Sequence, residues 1–332
     1  MPLKKPEILI LGAGAVGLSI AGMLSKKCVV SVVCRKKHAD AVSKDGLFLS
    51  GVWGEETIRD IKCYFRPDEL LKINTDSKTK KFDFILITSK SSDTEKICED
   101  YRVFLKGSVV VSIQNGIGNE EIIKKYAEKI IGATITTNFR SLSDGCVKVM
   151  SESEPLRLGI YPYESPDNLH YQSETDSLLE IFKSSKIKAE KSKNIRSAIW
   201  EKSLLNIAVN PLTGLLSVPV GETLNENLKP LVIGLVNETF SVMSAESIKT
   251  KWSDPKEYLE YLFGYLIPSF SDVFTSMQQD MKLKRKTEID FINGAVVRLG
   301  EMHKINTPYN SCICSLVRYQ EEKYSLSQRT PE

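Results

Sequence analysis

The feature that most constrains the fold of this chain is a glycine-rich turn close to its amino terminus. An apolar, strand-like run at Glu7–Leu11 leads directly into Gly12-Ala-Gly14-Ala-Val-Gly17, and a helix-like stretch follows. In a strand–turn–helix unit, Gly12 permits the tight turn, Gly14 lets a pyrophosphate approach the backbone, and Gly17 lets the helix pack against the strand. The spacing therefore predicts a dinucleotide site, although a tight turn of small residues has the same composition. The residues predicted to contact the dinucleotide here are Gly12, Gly14, Ala15, Val16 and Gly17.

Apolar runs and amphipathic stretches alternate through the first half of the chain. The runs predicted to be strands are Glu7–Leu11, Val29–Cys34, Phe84–Thr88, Ser108–Ile113 and Ile130–Thr137. The stretches predicted to be helices are Val16–Lys26, Asp93–Phe104 and Asn119–Ala127. This order predicts an α/β fold, with a doubly wound Rossmann sheet covered by helices on both faces. The pattern then favours antiparallel strands at Cys146–Met150 and Leu156–Ile160, a helix near Ser173–Lys183 and a strand near Lys186–Glu190.

The second half has a different texture. From Asn194 onward apolar residues recur at intervals of three and four, which is typical of helices. The predicted helices are Ile195–Val209, Leu228–Ser247, Tyr258–Ile267, Phe291–His303 and Asn310–Tyr319. A chain of 332 residues suits two domains. We therefore predict a Rossmann domain at 1–192, an all-helical domain at 193–326 and a short tail at 327–332.

Composition and charge exclude several kinds of partner. A net charge of +3 is too small to argue for nucleic acid or an anionic membrane. No apolar stretch approaches the roughly 18 to 20 residues that span a bilayer, and no signal-peptide cleavage site follows the first apolar run, so a cytoplasmic protein is expected. The seven cysteines include no Cys-x-x-Cys pair and the three histidines lack ligand spacing, so we expect reduced thiols and no metal.

The residues after the second predicted strand indicate which dinucleotide is bound. NAD sites commonly carry an acidic residue about 20 positions after the glycine-rich turn, where it binds the ribose 2′-hydroxyl. Here the strand ends in Arg35-Lys36-Lys37, and the first acidic residue is Asp40. Because a guanidinium grips a phosphate in bidentate fashion, Arg35 favours NADP. A basic loop after a strand is the alternative interpretation.

Two polar residues come directly after the third and fourth predicted strands. In this fold ligands bind at the carboxyl ends of the strands, so both residues would lie close to a ligand. Asn115 comes just after Ser108–Ile113, and Lys90 comes just after Phe84–Thr88. Either side chain would reach a bound nicotinamide, its ribose or a substrate. However, Asn-Gly is an ordinary turn dipeptide and a lysine is an ordinary surface residue, so the pattern leaves both interpretations open.

A polar stripe runs along the first predicted helix of the second half. Lys202, Asn206 and Asn210 recur at intervals of four, so they project from one face of a helix. Their neighbours are apolar, which favours a stripe that faces a ligand. Amphipathic helices also carry solvated polar stripes, so spacing alone does not decide.

A further constellation lies later in the helical half. Thr287 followed by Asp290 resembles a capping box, which would make Glu288 a first-turn residue that the helix dipole favours without any catalytic role. Ser276 lies in the polar run just upstream.

Taken in order along nearly the whole chain, these motifs resemble those of the ketopantoate reductase (2-dehydropantoate 2-reductase) family. The matching segments are Gly12-x-Gly14-x-x-Gly17, Gln114-Asn115-Gly116-Ile-Gly118, Lys202-x-x-x-Asn206-x-x-x-Asn210-Pro-Leu-Thr213, Ser276-Met-x-Gln-Asp280, Thr287-Glu288-Ile-Asp290-Phe-Ile-Asn293-Gly294 and Ile305-Asn-Thr307-Pro308-Tyr-Asn310.

The resemblance implies an NADP-binding Rossmann domain and a helical domain for substrate binding and dimerisation, with the active site between them. It implies that Lys202 is the proton donor and that Glu288 holds the substrate hydroxyl. Ser276 would help bind the carboxylate and Asn115 would lie near the nicotinamide. Asn206 and Asn210 match polar residues near the substrate. The apolar helices of the second half are also consistent with a homodimer.

One position departs from the family pattern. Three residues before Ser276 the family often has an asparagine that contacts the substrate, whereas this chain has Val273. An apolar side chain cannot make that hydrogen bond, so the substrate could be another branched or hydroxylated 2-oxo acid. A third hypothesis, from a different class, is an NADP-binding sensor without catalysis. The presence of Lys202, Ser276 and Glu288 together argues against it.

Overall fold

The computed structural model describes residues 4–72, 82–166 and 168–327, with side chains up to residue 324. The chain forms two compact units. The first unit comprises Met1–Gln114 and Asn119–Arg196, and the second comprises Asn115–Gly118 and Ser197–Glu332. The sequence pattern places the division at residue 192 and does not separate the short segment Asn115–Gly118 from the first unit. Apart from Ser327, the predicted tail lies outside the described residues.

The first unit is built on an eight-stranded sheet with a four-stranded sheet beside it. The strands are β1 Glu7–Leu11, β2 Val29–Val33, β3 Leu47–Gly51, β4 Glu56–Ile58, β5 Ile61–Tyr64, β6 Phe84–Ile87, β7 Val109–Ser112, β8 Lys129–Thr134, β9 Asn138–Ser143, β10 Cys146–Ser151, β11 Leu156–Ile160 and β12 Ala189–Lys191. The helices are α1 Ala15–Leu24, α2 Lys36–Asp45, α3 Pro67–Lys72, α4 Thr94–Asp100, α5 Arg102–Leu105, α6 Asn119–Ile123 and α7 Gln172–Ser184, with short 3₁₀ turns at Ser91–Asp93 and Leu169–Tyr171.

The large sheet has the strand order β12-β11-β8-β7-β6-β1-β2-β5. Its strands are parallel from β5 through β8, and β11 then runs antiparallel to β8. In β1, Ile8 and Ile10 belong to one apolar core, whereas Leu9 and Leu11 belong to another. Since successive side chains of a strand point to opposite faces, each face of the sheet has its own core. The predicted doubly wound Rossmann sheet is thus confirmed.

Several elements of this unit are not predicted by the sequence pattern. They are the edge strand β5, the strands β3, β4 and β9 and the helices α2 and α3. The strand β9 reads Asn-Phe-Arg-Ser-Leu-Ser and is mostly exposed, so it lacks the apolar run that marks the central strands. β4 has only three residues, which is too short for a pattern. The helix α2 is amphipathic but polar on average, and its buried face consists of only His38, Ala39 and Val42, so it lacks the apolar content of the predicted helices.

The second unit is helical, as predicted. Its helices are α8 Ile195–Leu216, α9 Lys229–Ala245, α10 Pro255–Tyr261, α11 Ile267–Ser269, α12 Ser276–Lys282, α13 Asn293–His303 and α14 Pro308–Ser327. A π-helical turn at Leu262–Leu266 joins α10 to α11, and 3₁₀ turns lie at Val220–Leu224 and Ile289–Phe291. Within the described ranges, none of the helices has the length and apolar character that crossing a membrane requires.

The helix α8 continues past its internal proline, whereas the sequence pattern ends it at Val209. Pro211 has no N–H, so the carbonyl of Ile207 loses its helical partner. The side-chain amide of Asn293 donates to that carbonyl at 3.0 Å and also donates to Asn310 Oδ1 at 3.0 Å. The freed carbonyl therefore has a replacement donor, and the helix that carries the polar stripe remains continuous.

Candidate active site

The glycine-rich turn of the first unit is shaped by two close approaches. Gly12 has a φ of +74°, and a Cβ built there would lie 2.3 Å from the Cβ of Ser89, which follows β6. A Cβ on Gly17 would lie 2.3 Å from Thr88 Oγ1. Both positions therefore require glycine, the first for the turn and the second for the packing of α1 on the sheet.

Gly14 is different, because a Cβ built on it would meet nothing within 4 Å. The packing of the protein therefore does not require glycine at this position. Gly14 lies immediately before α1, whose first residues, Ala15 and Val16, are half-buried. Open space in front of a helix N-terminus suits a phosphate group, because unpaired amides and the helix dipole point towards it. The residues present thus fit a dinucleotide pyrophosphate.

The two basic residues predicted to contact the cofactor lie at the same edge of the sheet. Arg35 is exposed, two residues after β2, and precedes the first residue of α2. Lys90 is half-buried three residues after β6, and it follows Ser89, which closely approaches Gly12 of the glycine-rich turn.

A buried hydrogen-bond network supports the ends of β6 and β7, and the sequence pattern gives no sign of it. The Gln114 amide donates to the Ser89 carbonyl at 3.1 Å and to Thr94 Oγ1 at 2.8 Å. Thr94 in turn donates to Asn119 Oδ1 at 2.9 Å, and the Asn119 amide donates to Ser91 at 3.1 Å. Buried polar groups are satisfied in this way only in a fixed geometry. The network therefore fixes the residue that precedes Asn115.

In the second unit, three of the predicted site residues come together. Lys202 Nζ donates a hydrogen bond to Asn115 Oδ1 at 2.5 Å, and Asn115 Nδ2 lies 3.5 Å from Glu288 Oε2. We call Lys202, Asn115 and Glu288 the lysine cluster. The asparagine amide thus contacts both the ammonium and the carboxylate, one through its oxygen and the other through its nitrogen. The family resemblance implies that Asn115 lies near the nicotinamide, and the sequence pattern gives no sign of these contacts.

The segment that carries Asn115 is fixed by its backbone. Ile117 N donates to the Phe291 carbonyl at 2.7 Å. Gly116 has a φ of +88°, and a Cβ there would lie 2.7 Å from both the Cβ and the carbonyl oxygen of Phe291. Because Phe291 follows Glu288 by three residues, these contacts hold Asn115 and Glu288 in one rigid piece of structure. The Asn-Gly pair is therefore more than a turn dipeptide.

The environment of Lys202 makes its charged form less favourable than it would be in water. Burial lowers the pKa of the Lys202 ammonium to about 8, and the nearby Glu288 carboxylate opposes this shift by favouring the charged form. An ammonium with such a pKa is mostly protonated at neutral pH and releases its proton readily. These are the properties of a general acid.

The turn that carries Glu288 is held by different contacts from the predicted capping box. Asp290 forms an ion pair with Arg318 at 2.8 Å rather than a capping box with Thr287. The carboxylate of Glu321 accepts from both the backbone N–H and the hydroxyl of Thr287, at 2.7 and 2.6 Å. The capping-box prediction is therefore wrong. The carboxylate that bonds to Thr287 comes from Glu321 on the helix α14 and not from Asp290, its near neighbour in sequence.

The remaining predicted residues lie along α8 and at the start of α12. Asn206 is half-buried and Asn210 is only 4% exposed, while Ser276 is exposed as the first residue of α12. A hydrogen bond of 2.8 Å between Thr213 and Thr275 ties the two helices together. At a rise of 1.5 Å per residue, the stripe from Lys202 to Asn210 is about 12 Å long. The Thr213–Thr275 bond brings the start of α12 close to the Asn210 end of this stripe.

The first unit thus has the Rossmann sheet and glycine-rich turn typical of dinucleotide-dependent oxidoreductases, and the second unit has a buried lysine held by an amide. The family model described as ketopantoate reductase PanE/ApbA matches residues 8–163, and the model of its C-terminal part matches residues 194–321. The chain belongs to the ketopantoate reductase family.

Similar proteins agree with this assignment. The chain is 30% identical over 322 residues to the 2-dehydropantoate 2-reductase of Pyrococcus horikoshii, with 95% of this chain and 97% of that one covered. It is also 30% identical over 330 residues to that of Archaeoglobus fulgidus, with 95% and 98% covered.

Two solved structures are similar to this chain with a TM-score of 0.82, 25% identity, and 96% of this chain and 99% of theirs covered. One is a ketopantoate reductase of the PanE/ApbA family from Ralstonia eutropha JMP134. The other is D-mandelate dehydrogenase in a ternary complex with NADH and anilino(oxo)acetate.

Proposed function

We propose that this protein reduces 2-dehydropantoate to pantoate with NADPH, on the route to pantothenate and coenzyme A, and that Lys202 is the proton donor. The observation that carries the proposal is the lysine cluster, in which one asparagine amide links an ammonium of depressed pKa to a carboxylate. The names of the similar reductases support the choice of substrate.

The first unit would hold the cofactor. The space at Gly14 and the start of α1 fit the pyrophosphate, and Arg35 suits a 2′-phosphate. Lys90 lies three residues after β6 and follows Ser89, which closely approaches this turn. When bound, a reduced nicotinamide supplies the hydride that converts the keto carbon to an alcohol. The absence of a carboxylate between Arg35 and Asp40 supports NADP over NAD.

The second unit would hold the 2-oxo acid. Lys202 polarises the C2 carbonyl through its ammonium and delivers a proton to the oxygen as the alkoxide forms. Asn115 keeps the ammonium in place, and Glu288 accepts a hydrogen bond from the hydroxyl of the substrate. Asn206, Asn210 and Ser276 would orient the rest of the molecule. The carboxylate of the substrate pairs with the donors at the start of α12.

The direct test is the oxidation of NADPH with a panel of 2-oxo acids that includes 2-dehydropantoate and phenylglyoxylate. We expect the highest kcat/KM with 2-dehydropantoate, measured from the loss of nicotinamide absorbance. A folded, NADPH-binding sample that reduces no member of the panel would contradict the proposal and favour a sensor.

A second candidate is the reduction of another 2-oxo acid, with an apolar substituent such as a phenyl ring. Val273 and Phe274, just before α12, are 43% and 47% exposed, so this surface is apolar where the family often has an asparagine. The similarity to D-mandelate dehydrogenase points the same way. A preference for phenylglyoxylate that Val273→Asn reverses would favour this candidate.

The pKa of Lys202 predicts the pH dependence of the reaction. Because the acid must be protonated, kcat/KM for reduction should be constant at low pH and fall as the pH rises through about 8. The Glu288 carboxylate raises this pKa, so Glu288→Gln should move the falling limb to lower pH, apart from its effect on substrate binding. Steady-state kinetics across the pH range would check both. A limb that Glu288→Gln leaves in place would exclude Lys202 as the titrating acid.

A further inference from the structure

The edge strand β5, which the sequence pattern does not reveal, brings a second arginine, Arg66, to the end of the sheet where the cofactor is proposed to bind. β2 pairs with β5 in parallel, with Val33 opposite Tyr64, and Cys34 N donates to the Tyr64 carbonyl at 3.0 Å. The residues that follow the two strands are therefore neighbours. Ala13 N, in the glycine-rich turn, also donates to the Val33 carbonyl at 2.9 Å. The turn and the ends of β2 and β5 thus lie side by side.

At this edge two cations, from Lys36 and Arg66, lie against one aromatic ring. Phe65 follows β5 and packs against the core of the first unit. The ammonium of Lys36 lies 5.6 Å from the centre of its ring, and the guanidinium of Arg66 lies 5.0 Å from it. Arg35 immediately precedes Lys36 in the chain and is exposed. Both distances suit cation–π contacts, so the ring gathers positive charge in one place.

The Arg66 guanidinium is held as well as exposed. Asp68 and Glu69 approach its Nε at 3.4 and 3.8 Å, and Glu69 also accepts from the Phe65 backbone N–H at 3.0 Å. In both ion pairs the carboxylate comes closest to Nε of Arg66 and not to the two terminal amino groups of the guanidinium. Exposed ion pairs at such distances are weak, so they orient the side chain without preventing it from binding a stronger anion. A restrained side chain also loses less conformational freedom on binding.

The charge of the expected anion calls for more than one cation. A phosphate monoester carries between about −1.5 and −2 charges at neutral pH, which a single guanidinium does not balance. In a Rossmann sheet the 2′ position of the adenosine ribose lies at the carboxyl end of the second strand. That is where Arg35, Lys36 and Arg66 are gathered.

We infer that Arg66 is a second ligand of the 2′-phosphate of NADP and, together with Arg35, determines the selectivity for NADP over NAD. This inference rests on the proposed use of NADPH and adds to it a residue from a different strand. The competing role for Arg66 is stacking on the adenine ring, which would serve NAD and NADP equally.

Binding measurements without catalysis distinguish these roles. The affinities of adenosine 2′,5′-bisphosphate and of adenosine 5′-monophosphate, which lacks the 2′-phosphate, would be measured by calorimetry for wild type, Arg66→Ala and Arg35→Ala. Arg102→Ala is the matched control, because Arg102 is an exposed arginine on α5 of the same unit. The KM values for NADPH and NADH would be measured on the same proteins.

We expect Arg66→Ala to weaken the bisphosphate about 10-fold, to raise the KM for NADPH to a similar extent, and to leave the monophosphate, NADH and kcat with NADPH unchanged. Arg102→Ala should change nothing. An equal loss for both adenosine ligands would mean adenine stacking and would overturn the inference. The inference would also be overturned if Arg35→Ala weakened the binding of the bisphosphate and Arg66→Ala did not. If wild type itself bound both ligands equally, the proposed use of NADP would fail before Arg66 came into question.

Discussion

Replacing Lys202 with methionine is expected to lower kcat by roughly 10²- to 10⁴-fold while the protein remains folded, because the variant lacks the proposed general acid. Methionine keeps the unbranched stem that packs in α8 and removes only the ammonium. Burial already disfavours the charge of this ammonium, so its removal should not lower Tm. Steady-state kinetics and thermal unfolding would measure the two effects.

The control for this variant is Lys256→Met, which removes an exposed lysine from α10 of the same unit. It should retain the activity of the wild type. If Lys202→Met retained activity within a few-fold of wild type, the assignment of Lys202 as the proton donor would be wrong. If Lys202→Met lost its cooperative unfolding together with its activity, Lys202→Gln would take its place in the same two measurements.

Two glycines of the same turn are expected to respond to alanine in opposite ways. Gly12→Ala should destabilise the protein strongly, by about 3 kcal/mol or more, because it combines a positive φ with a Cβ only 2.3 Å from the Cβ of Ser89. Gly14→Ala should leave Tm almost unchanged, because its Cβ meets nothing within 4 Å. Its cost should appear in the affinity for the dinucleotide, whose pyrophosphate would meet the new methyl group.

Thermal unfolding and dinucleotide titration of the two variants would test this contrast. The expected result is a large fall in Tm for Gly12→Ala, and a higher Kd at nearly constant Tm for Gly14→Ala. A Gly14→Ala variant that binds the dinucleotide as tightly as wild type would show that the phosphate does not approach the backbone at this point.

The parts of the fold that the sequence predicts are those with a strong local pattern. The strands β1, β6 and β7 are apolar runs buried on both faces, and the spacing of the glycines is enough to predict the turn after β1. The helical second half follows from the three- and four-residue spacing of its apolar residues. The edge strand β5 is short and half-exposed, so it has no such pattern. Without β5, the sequence gives no reason to expect Arg35 and Arg66 to be neighbours.

The sequence predicts the residues of the candidate site one by one, but not their contacts. Spacing places Lys202 on a helix and Asn115 after a strand, yet the hydrogen bond between them spans 87 positions in the sequence and has no local signature. The same is true of Glu321, which replaces Asp290 as the partner of Thr287 across 34 positions. Long-range pairs of this kind depend on tertiary packing, and no local pattern in the sequence indicates which distant residues will meet.

The inclusion of Asn115–Gly118 in the second unit has a practical meaning for dissecting this protein. The polypeptide passes between the two units at three places, after Gln114, after Gly118 and after Arg196. A fragment that began at Ser197 would carry Lys202 without the amide that holds it. Neither half of the chain can therefore be transferred by itself with its contacts intact. A chimera that joins this carboxyl-terminal half to another nucleotide-binding domain would also need the four residues Asn115–Gly118.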